Sequence, residues 1–499
     1  MDPLPLPELK QDSVSNIMGI FLSTVLSTHL FSIPLELLPF STLVLVFMSI
    51  EGLFVFHKWE PIFHVLLLFS FLLLFVLGVG PFAFKPPSVY LVDFSCFKPP
   101  NCCKVPFSHF TEHAAMIESF DSESVEFMAK ILASSGLSED TYLPPALHCI
   151  PPKTHQREYV KEAEMVLFPL MDDLLSKAKL SPRDIDLLII NCSGFCPSPS
   201  LPSIIVNKYS MRSDVKSYSL SGMGCSAGAI GIDLAQNLLK TNRNSIAIVL
   251  STEILSAGWY SGHERSMLLL NCLFRMGSAA VLLTNKKEAS KSSKYRLLRT
   301  LRTQTAFEDK AYLTVIREED TSGKLGVTIN KDLLQAAGEI LRSHVTILGS
   351  QILPFKAKLR HAISIIRMKF IKKSGKVYMP SFKTAIQHFC LPTSGRAVIR
   401  EIAKGLKLDE RDIEAALMTL HRFGNQSSSS MWYELAYLEA KERVKEGDKV
   451  WLLGMGTGPK CNSFGLECVR PIVGESKKNP WSDCIHLYPI EAVPSKSPT

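Results

Sequence analysis

Apolar residues crowd the front of this chain and then give way to a regular alternation. Residues 62–80 read IFHVLLLFSFLLLFVLGVG, with His64 the only ionisable side chain. About 20 apolar residues in a helix cross a bilayer core, so this run predicts a membrane span. A second run, 38–56, carries Pro39 and Glu51 near its ends and predicts a weaker one. The polar connector 57–60 (HKWE) fits a hairpin of two helices; one span plus an interfacial helix is the alternative. The apolar segments start too late and run too long for a cleaved signal peptide. By the positive-inside rule, Lys85 then puts the remainder in the cytosol.

Beyond residue 85 helical periodicity alternates with short apolar runs. The spacing predicts helices over 162–179, 226–240, 395–406 and 432–445. It predicts strands over 186–191, 245–251, 279–284, 382–389 and 449–454. Strands alternating with helices make an α/β body, its mixed or parallel sheet covered on both faces.

Composition narrows the class. With 46% hydrophobic and 20% charged residues among 499, a disordered chain is excluded. Twelve cysteines are too sparse for a disulfide-built scaffold, and a cytosolic body keeps them reduced. The formal charge of +8 gathers in two stretches, 286–302 and 360–376. These read as solvated surface, or as attraction to anionic headgroups or a polyphosphate ligand. They lack the interleaved aromatics of a nucleic-acid binder, so nucleic acid is not an expected partner.

The candidate chemistry begins in 219–228 (SLSGMGCSAG). Gly222 and Gly224 permit a tight turn, which puts Cys225 at the start of the 226–240 helix. A helix N-terminus stabilises a thiolate, and small neighbours leave room for a substrate. The glycine spacing, GxGxxxG, is not that of a dinucleotide loop. Read alone, Cys225 is equally a small buried cysteine at a turn. In 421–430 (HRFGNQSSSS), Gly424 allows a strained turn, Asn425 offers amide donors and the serines cap the next helix. Cys461, Asn462 and Ser463 follow the glycine-rich 454–458, a place for oxyanion-stabilising N–H groups.

Together these motifs resemble the plant 3-ketoacyl-CoA synthases, the condensing enzymes of very-long-chain fatty acid elongation. The likeness runs from 89–100 (VYLVDFSCFKPP) through SLSGMGCSAG, NCLFRMG (271–277), MTLHRFGNQSSSSMWYELAY (418–437) and KCNS (460–463) to about residue 472. It implies a thiolase-like α-β-α-β-α fold: an anchor (1–84), two similar halves (85–300 and 301–472) and a tail (473–499). It implies long-chain acyl-CoA and malonyl-CoA as substrates, no cofactor and no metal. It also implies the endoplasmic reticulum membrane, a dimer with itself or a related synthase, and elongase reductases and a dehydratase as partners. It assigns the nucleophile to Cys225 and a donor to Asn425, and marks His388 and His421 as motif histidines.

Two positions depart from the family pattern. The family has its principal catalytic histidine in a segment like HFCIHAGGRAVI; here 388–399 reads HFCLPTSGRAVI, with Pro392 in its place. A second motif histidine is matched by Gln304 in RTQTA (302–306). Four residues of strand span ~13 Å, so His388 does not substitute for position 392. The sequence therefore carries two readings: a condensing enzyme with altered catalytic support, or an impaired paralogue that binds acyl-CoA or regulates active synthases. A channel is disfavoured, since one or two spans form no bundle.

Overall fold

The computed structural model describes residues 69–70, 87–370, 378 and 380–490. Apart from residues 69–70, the apolar runs 38–56 and 62–80 lie outside the described residues. Among the described residues, no helix is long and apolar enough to cross a membrane. Pro87–Thr499 form one compact unit.

Five strands build the first half: β1 (Tyr90–Cys96), β2 (Leu187–Asn191), β3 (Lys216–Leu220), β4 (Ile246–Thr252) and β5 (Ser278–Thr284), in the order β3-β2-β4-β5-β1. β2 runs parallel to both β3 and β4, whereas β5 is antiparallel to β4 and to β1. Every residue of β2, β4 and β5 is buried, which is why these runs read as continuous apolar stretches rather than alternating ones. β6 (Tyr295–Gln304) opens the second half. A separate hairpin follows, β7 (Val315–Glu319) with β8 (Leu325–Ile329). Then come β9 (His388–Cys390), β10 (Lys449–Gly456) and β11 (Lys460–Cys468), giving the order β6-β11-β10-β9. Pairing of Tyr90 with Arg296 and Leu91 with Tyr295 joins the halves into one nine-stranded sheet.

The helices that matter are α1 (Gln156–Ala178), α2 (Ala227–Thr241), α3 (Leu333–Ile352), α4 (Phe355–Phe370), α5 (Arg396–Leu406), α6 (Glu410–Phe423) and α7 (Ser430–Ala440). α2 touches β2 and β4 of one half and β6, β10 and β11 of the other; α7 touches β1, β5, β9 and β10. They form the middle layer, so every residue of α7 is buried. A helix covered all round must be apolar all round, as MWYELAYLEA nearly is. α1 covers β1 and β5 from outside, and α3 covers β6 and β11.

The departures from expectation have physical causes. The strand expected over 382–389 shrinks to β9, because Phe382–Thr384 form a 3-10 turn capped by Ser381. That turn stacks Phe382 on Trp451, centroids 6.4 Å apart and planes 8° from parallel. The first basic stretch hides β6, where Tyr295 and Leu297 point inward and Arg296 and Arg299 outward. The expected boundary at residue 300 falls inside this strand. Of the expected tail, 473–490 pack onto the body: Trp481 is fully buried and its Nε1 donates to Tyr433 O at 2.9 Å. All twelve cysteines are free.

Candidate active site

Cys225 sits in a short 3-10 turn, Gly224–Ser226, between β3 and α2. Two glycines let other backbone approach it. Gly224 has φ +60, and a Cβ there would lie 2.6 Å from Thr457 N. A Cβ on Gly228 would meet Ser428 O at 2.4 Å. The turn is thus clasped between the end of β10 and the loop leading into α7, and the two halves of the molecule meet at the thiol.

The resulting pocket is lined by Cys225, by Leu391, Pro392, Thr393 and Ser394 after β9, by Asn425, Ser427, Ser430 and Met431 around the start of α7, and by Leu453, Gly454 and Met455 of β10. Asn425 is held on both sides. Its N–H donates to Leu273 O at 3.2 Å and its carbonyl accepts from Arg275 N at 2.8 Å, so the NCLFRMG segment acts as a brace. Its side-chain Oδ1 accepts from Ser427 N at 2.9 Å. With the oxygen tied down, the amide NH₂ is the remaining donor group.

Ser427, at φ +55, points its hydroxyl between two acceptors, Cys225 Sγ at 3.5 Å and Glu253 Oε2 at 3.4 Å. One proton serves one of them at a time. Burial pushes the Cys225 thiol up to about 11; the Ser427 hydroxyl opposes this and the Glu253 charge adds to it. The helix terminus expected to stabilise a thiolate is present, but desolvation outweighs it. Glu253 follows β4 and is itself raised by burial, against N–H donors from Gly194 at 2.7 Å and Ser193 at 3.3 Å. Glu434, fully buried on α7, accepts from Leu391 N at 2.8 Å and so fixes the loop that carries Pro392. Burial raises its carboxyl well above the usual range, and the Leu391 N–H opposes this only in part.

The structure brings Cys225, Asn425 and Pro392 together. It does not bring His388 or His421 to them. His388 begins β9 and its Nε2 pairs with Asp448 Oδ2 at 3.0 Å. His421, in the last turn of α6, has Nδ1 3.0 Å from Tyr488 OH. Neither lines the pocket. Gln304 is exposed at the end of β6, opposite Lys460. Cys461, Asn462 and Ser463 are buried along β11, and Ser463 Oγ lies 2.7 Å from His344 Nε2. The pocket wall expected from them is supplied by β10, whose Gly454 pairs with Asn462.

Sequence reasoning missed three polar groups here. Ser427 was hidden in a run read only as a cap. Glu253 had a signal, an acid directly after the strand IAIVLST. Glu434 had another, an acid among the aromatic and aliphatic residues of a helix.

Residues 82–370 match the family model described as FAE1/Type III polyketide synthase-like protein, and 383–468 match 3-Oxoacyl-[acyl-carrier-protein (ACP)] synthase III C terminal. The chain is 49% identical over 421 residues to 3-ketoacyl-CoA synthase 5 of Arabidopsis thaliana, covering 84% of this chain and 85% of the relative. To 3-ketoacyl-CoA synthase 17 of the same plant it is 44% identical over 467 residues, covering 93% and 95%. Among solved structures it resembles 1,3,6,8-tetrahydroxynaphthalene synthase of Streptomyces coelicolor (TM-score 0.56, 18% identity, 76% of this chain and 99% of that one). It also resembles PKS-I of the brown alga Ectocarpus siliculosus (TM-score 0.60, 16% identity, 77% and 99%). At such identities these likenesses speak for the fold, a thiolase-like type III polyketide synthase architecture. From the two family models and the near-full-length identity to named synthases, the chain belongs to the 3-ketoacyl-CoA synthase family.

Proposed function

We propose that this chain condenses a long-chain acyl-CoA with malonyl-CoA to a 3-oxoacyl-CoA, the step that lengthens very-long-chain fatty acids. The observation that carries the reading is one pocket holding both Cys225 and the Asn425 amide. In the first step the Cys225 sulfur attacks the thioester carbonyl. CoA leaves as its thiol with the cysteine proton, and the acyl group stays on sulfur. Splitting the reaction this way lowers each barrier. In the second step malonyl-CoA loses CO₂, and the electron pair of the broken C–C bond becomes an enolate. Its carbon attacks the acyl thioester and Cys225 leaves as thiolate, which regains a proton from water. Asn425 NH₂ donates to the enolate oxygen as charge develops there.

Pro392 shapes the rates. It lines the same pocket and its side chain neither donates a hydrogen bond nor carries a proton, so one preorganised group is missing. Loss of one such donor costs ~10²–10³ in rate. This observation favours a second reading, a paralogue that holds acyl-CoA or regulates active condensing subunits with little turnover. In either case the runs 38–56 and 62–80 anchor the chain in the endoplasmic reticulum membrane with the body in the cytosol. The chain pairs with itself or a related synthase, and elongase reductases and a dehydratase act after it.

The deciding experiment supplies membranes carrying the chain with radiolabelled malonyl-CoA and several acyl-CoAs. Labelled 3-oxoacyl product that disappears in Cys225→Ala supports the enzyme. Absence of product from wild type, with product from Pro392→His, supports the paralogue.

A further inference from the structure

Helix α4 has features that the catalytic reading leaves unused. Its sequence, FKAKLRHAISIIRMKF, holds five basic residues and no acidic one. Leu359, Ile363 and Ile366 follow at steps of four and three, so they share one face. They are 47%, 44% and 53% exposed, and Phe355, one step earlier in the row, is 56% exposed. An exposed apolar row rimmed by charge marks an interaction surface.

The charges are ordered around that row. Lys356, Arg360 and Arg367 run along one side of it and Lys358 lies on the other, by helical spacing. The far face is tied to Tyr378, beyond the end of the helix. His361 Nδ1 donates to Tyr378 O at 2.5 Å, and Tyr378 N–H donates to Ser364 Oγ at 2.7 Å. The Arg360 guanidinium lies 6.0 Å from the centre of the Tyr378 ring. Burial, and then the neighbouring Arg299 guanidinium, hold Lys358 below the usual lysine range, so the positive surface continues onto β6.

Charge selects the occupant. A second copy of α4 would set two positive rows against each other, which electrostatics opposes. An anionic bilayer meets both features at once: headgroups face the lysines and arginines, and the acyl boundary takes the apolar row. Long basic side chains reach headgroups from such a depth.

We propose that α4 lies in the headgroup–acyl boundary of an anionic membrane and is a second membrane contact of the chain. That the contact is a second one rests on the reading that residues 62–80 anchor the chain in a bilayer.

The test reconstitutes the full chain in vesicles doped with a diazirine phospholipid. One set is phosphatidylcholine alone and the other contains added phosphatidylserine; labelled peptides are mapped by mass spectrometry. The expected result is labelling of 355–370 in the phosphatidylserine vesicles. It falls roughly tenfold in phosphatidylcholine, in Ile363→Glu/Ile366→Glu and in Lys356→Gln/Arg360→Gln/Arg367→Gln, while labelling of 62–80 is unchanged. Labelled 62–80 with unlabelled 355–370 overturns the proposal and spares the anchor. Labelled 355–370 with unlabelled 62–80 removes the anchor and supports the α4 contact. Equal labelling in both vesicle types overturns the proposal, as does lipid-free crosslinking of α4 to α4 between copies.

Discussion

Replacing Pro392 by histidine should change the chemistry of Cys225 in a pH-dependent way whose size follows from the structure. With the thiol raised to about 11, only ~10⁻³ of it is thiolate at pH 8. Pro392 lines the pocket beside it, so an imidazole at 392 becomes a partner for the sulfur. A histidine-paired cysteine titrates near 7.5 or below, which makes the thiolate about 10³ more abundant at pH 8. Nucleophilicity falls with pKa, at β ≈ 0.4–0.5, which returns ~1.6 log units over that range. The net gain is roughly 20-fold at pH 8, and the advantage vanishes near pH 9.5, where wild type has its own thiolate. The assay is peptide-resolved alkylation by iodoacetamide from pH 7 to 10, with exposed Cys102 and Cys196 as internal references. Wild type should accelerate about tenfold per pH unit throughout, because the thiol is titrated from far below its pKa. Pro392→Ala, which removes the ring without adding an imidazole, should behave like wild type. A wild-type rate that levels off by pH 8, or equal rates for Pro392→His and wild type at that pH, would refute the reasoning.

Ser427→Ala removes the hydroxyl that opposes the upward push on Cys225 and should slow its alkylation at pH 9 by roughly tenfold, with thermal stability little changed. Glu434→Gln keeps the acceptor for Leu391 N–H and should fold normally, whereas Glu434→Leu orphans that N–H and should cost about 1–3 kcal/mol by thermal denaturation. A carboxyl raised in the folded state keeps its proton after the unfolded chain has lost its own. Its burial therefore destabilises progressively as pH rises above about 4.3. Glu434→Gln should accordingly gain on wild type as pH rises from 5, and a constant difference in Tm would count against a carboxyl raised by burial. His388→Asn and His421→Asn should leave condensation within about twofold once corrected for folded protein, since their partners are Asp448 and Tyr488 rather than the pocket; a hundredfold loss in either would place an imidazole in the chemistry.

The parts of the fold legible in the sequence are those where burial imposes a single rule. β2, β4 and β5 are buried on both faces and show as unbroken apolar runs; α2 and α7 carry their start signals and their apolar content together. β6 was illegible because its arginines, Arg296, Arg299 and Arg302, recur every third residue and interrupt the period of two that marks a strand. In the site, Cys225 and Asn425 were legible because glycine turns announce positions where backbone must approach closely. His388 and His421 were marked by residue type and motif, which carry no distance information. Each instead makes a structural pair sixty or more residues away in sequence. Glu253 and Glu434 matter through burial, a property that an acid does not display until its neighbours are placed.

The central claim is that Cys225 carries the acyl chain in a pocket whose second step is held back by Pro392. The most direct measurement incubates the full chain in membranes with a long-chain acyl-CoA, isolates the peptide containing Cys225 and follows its acyl mass before and after malonyl-CoA is added. The account predicts acyl on Cys225 and on no other of the twelve cysteines, discharged by malonyl-CoA ~10²–10³ faster in Pro392→His than in wild type. Acyl found elsewhere, or discharge at equal rates in the two proteins, would contradict it.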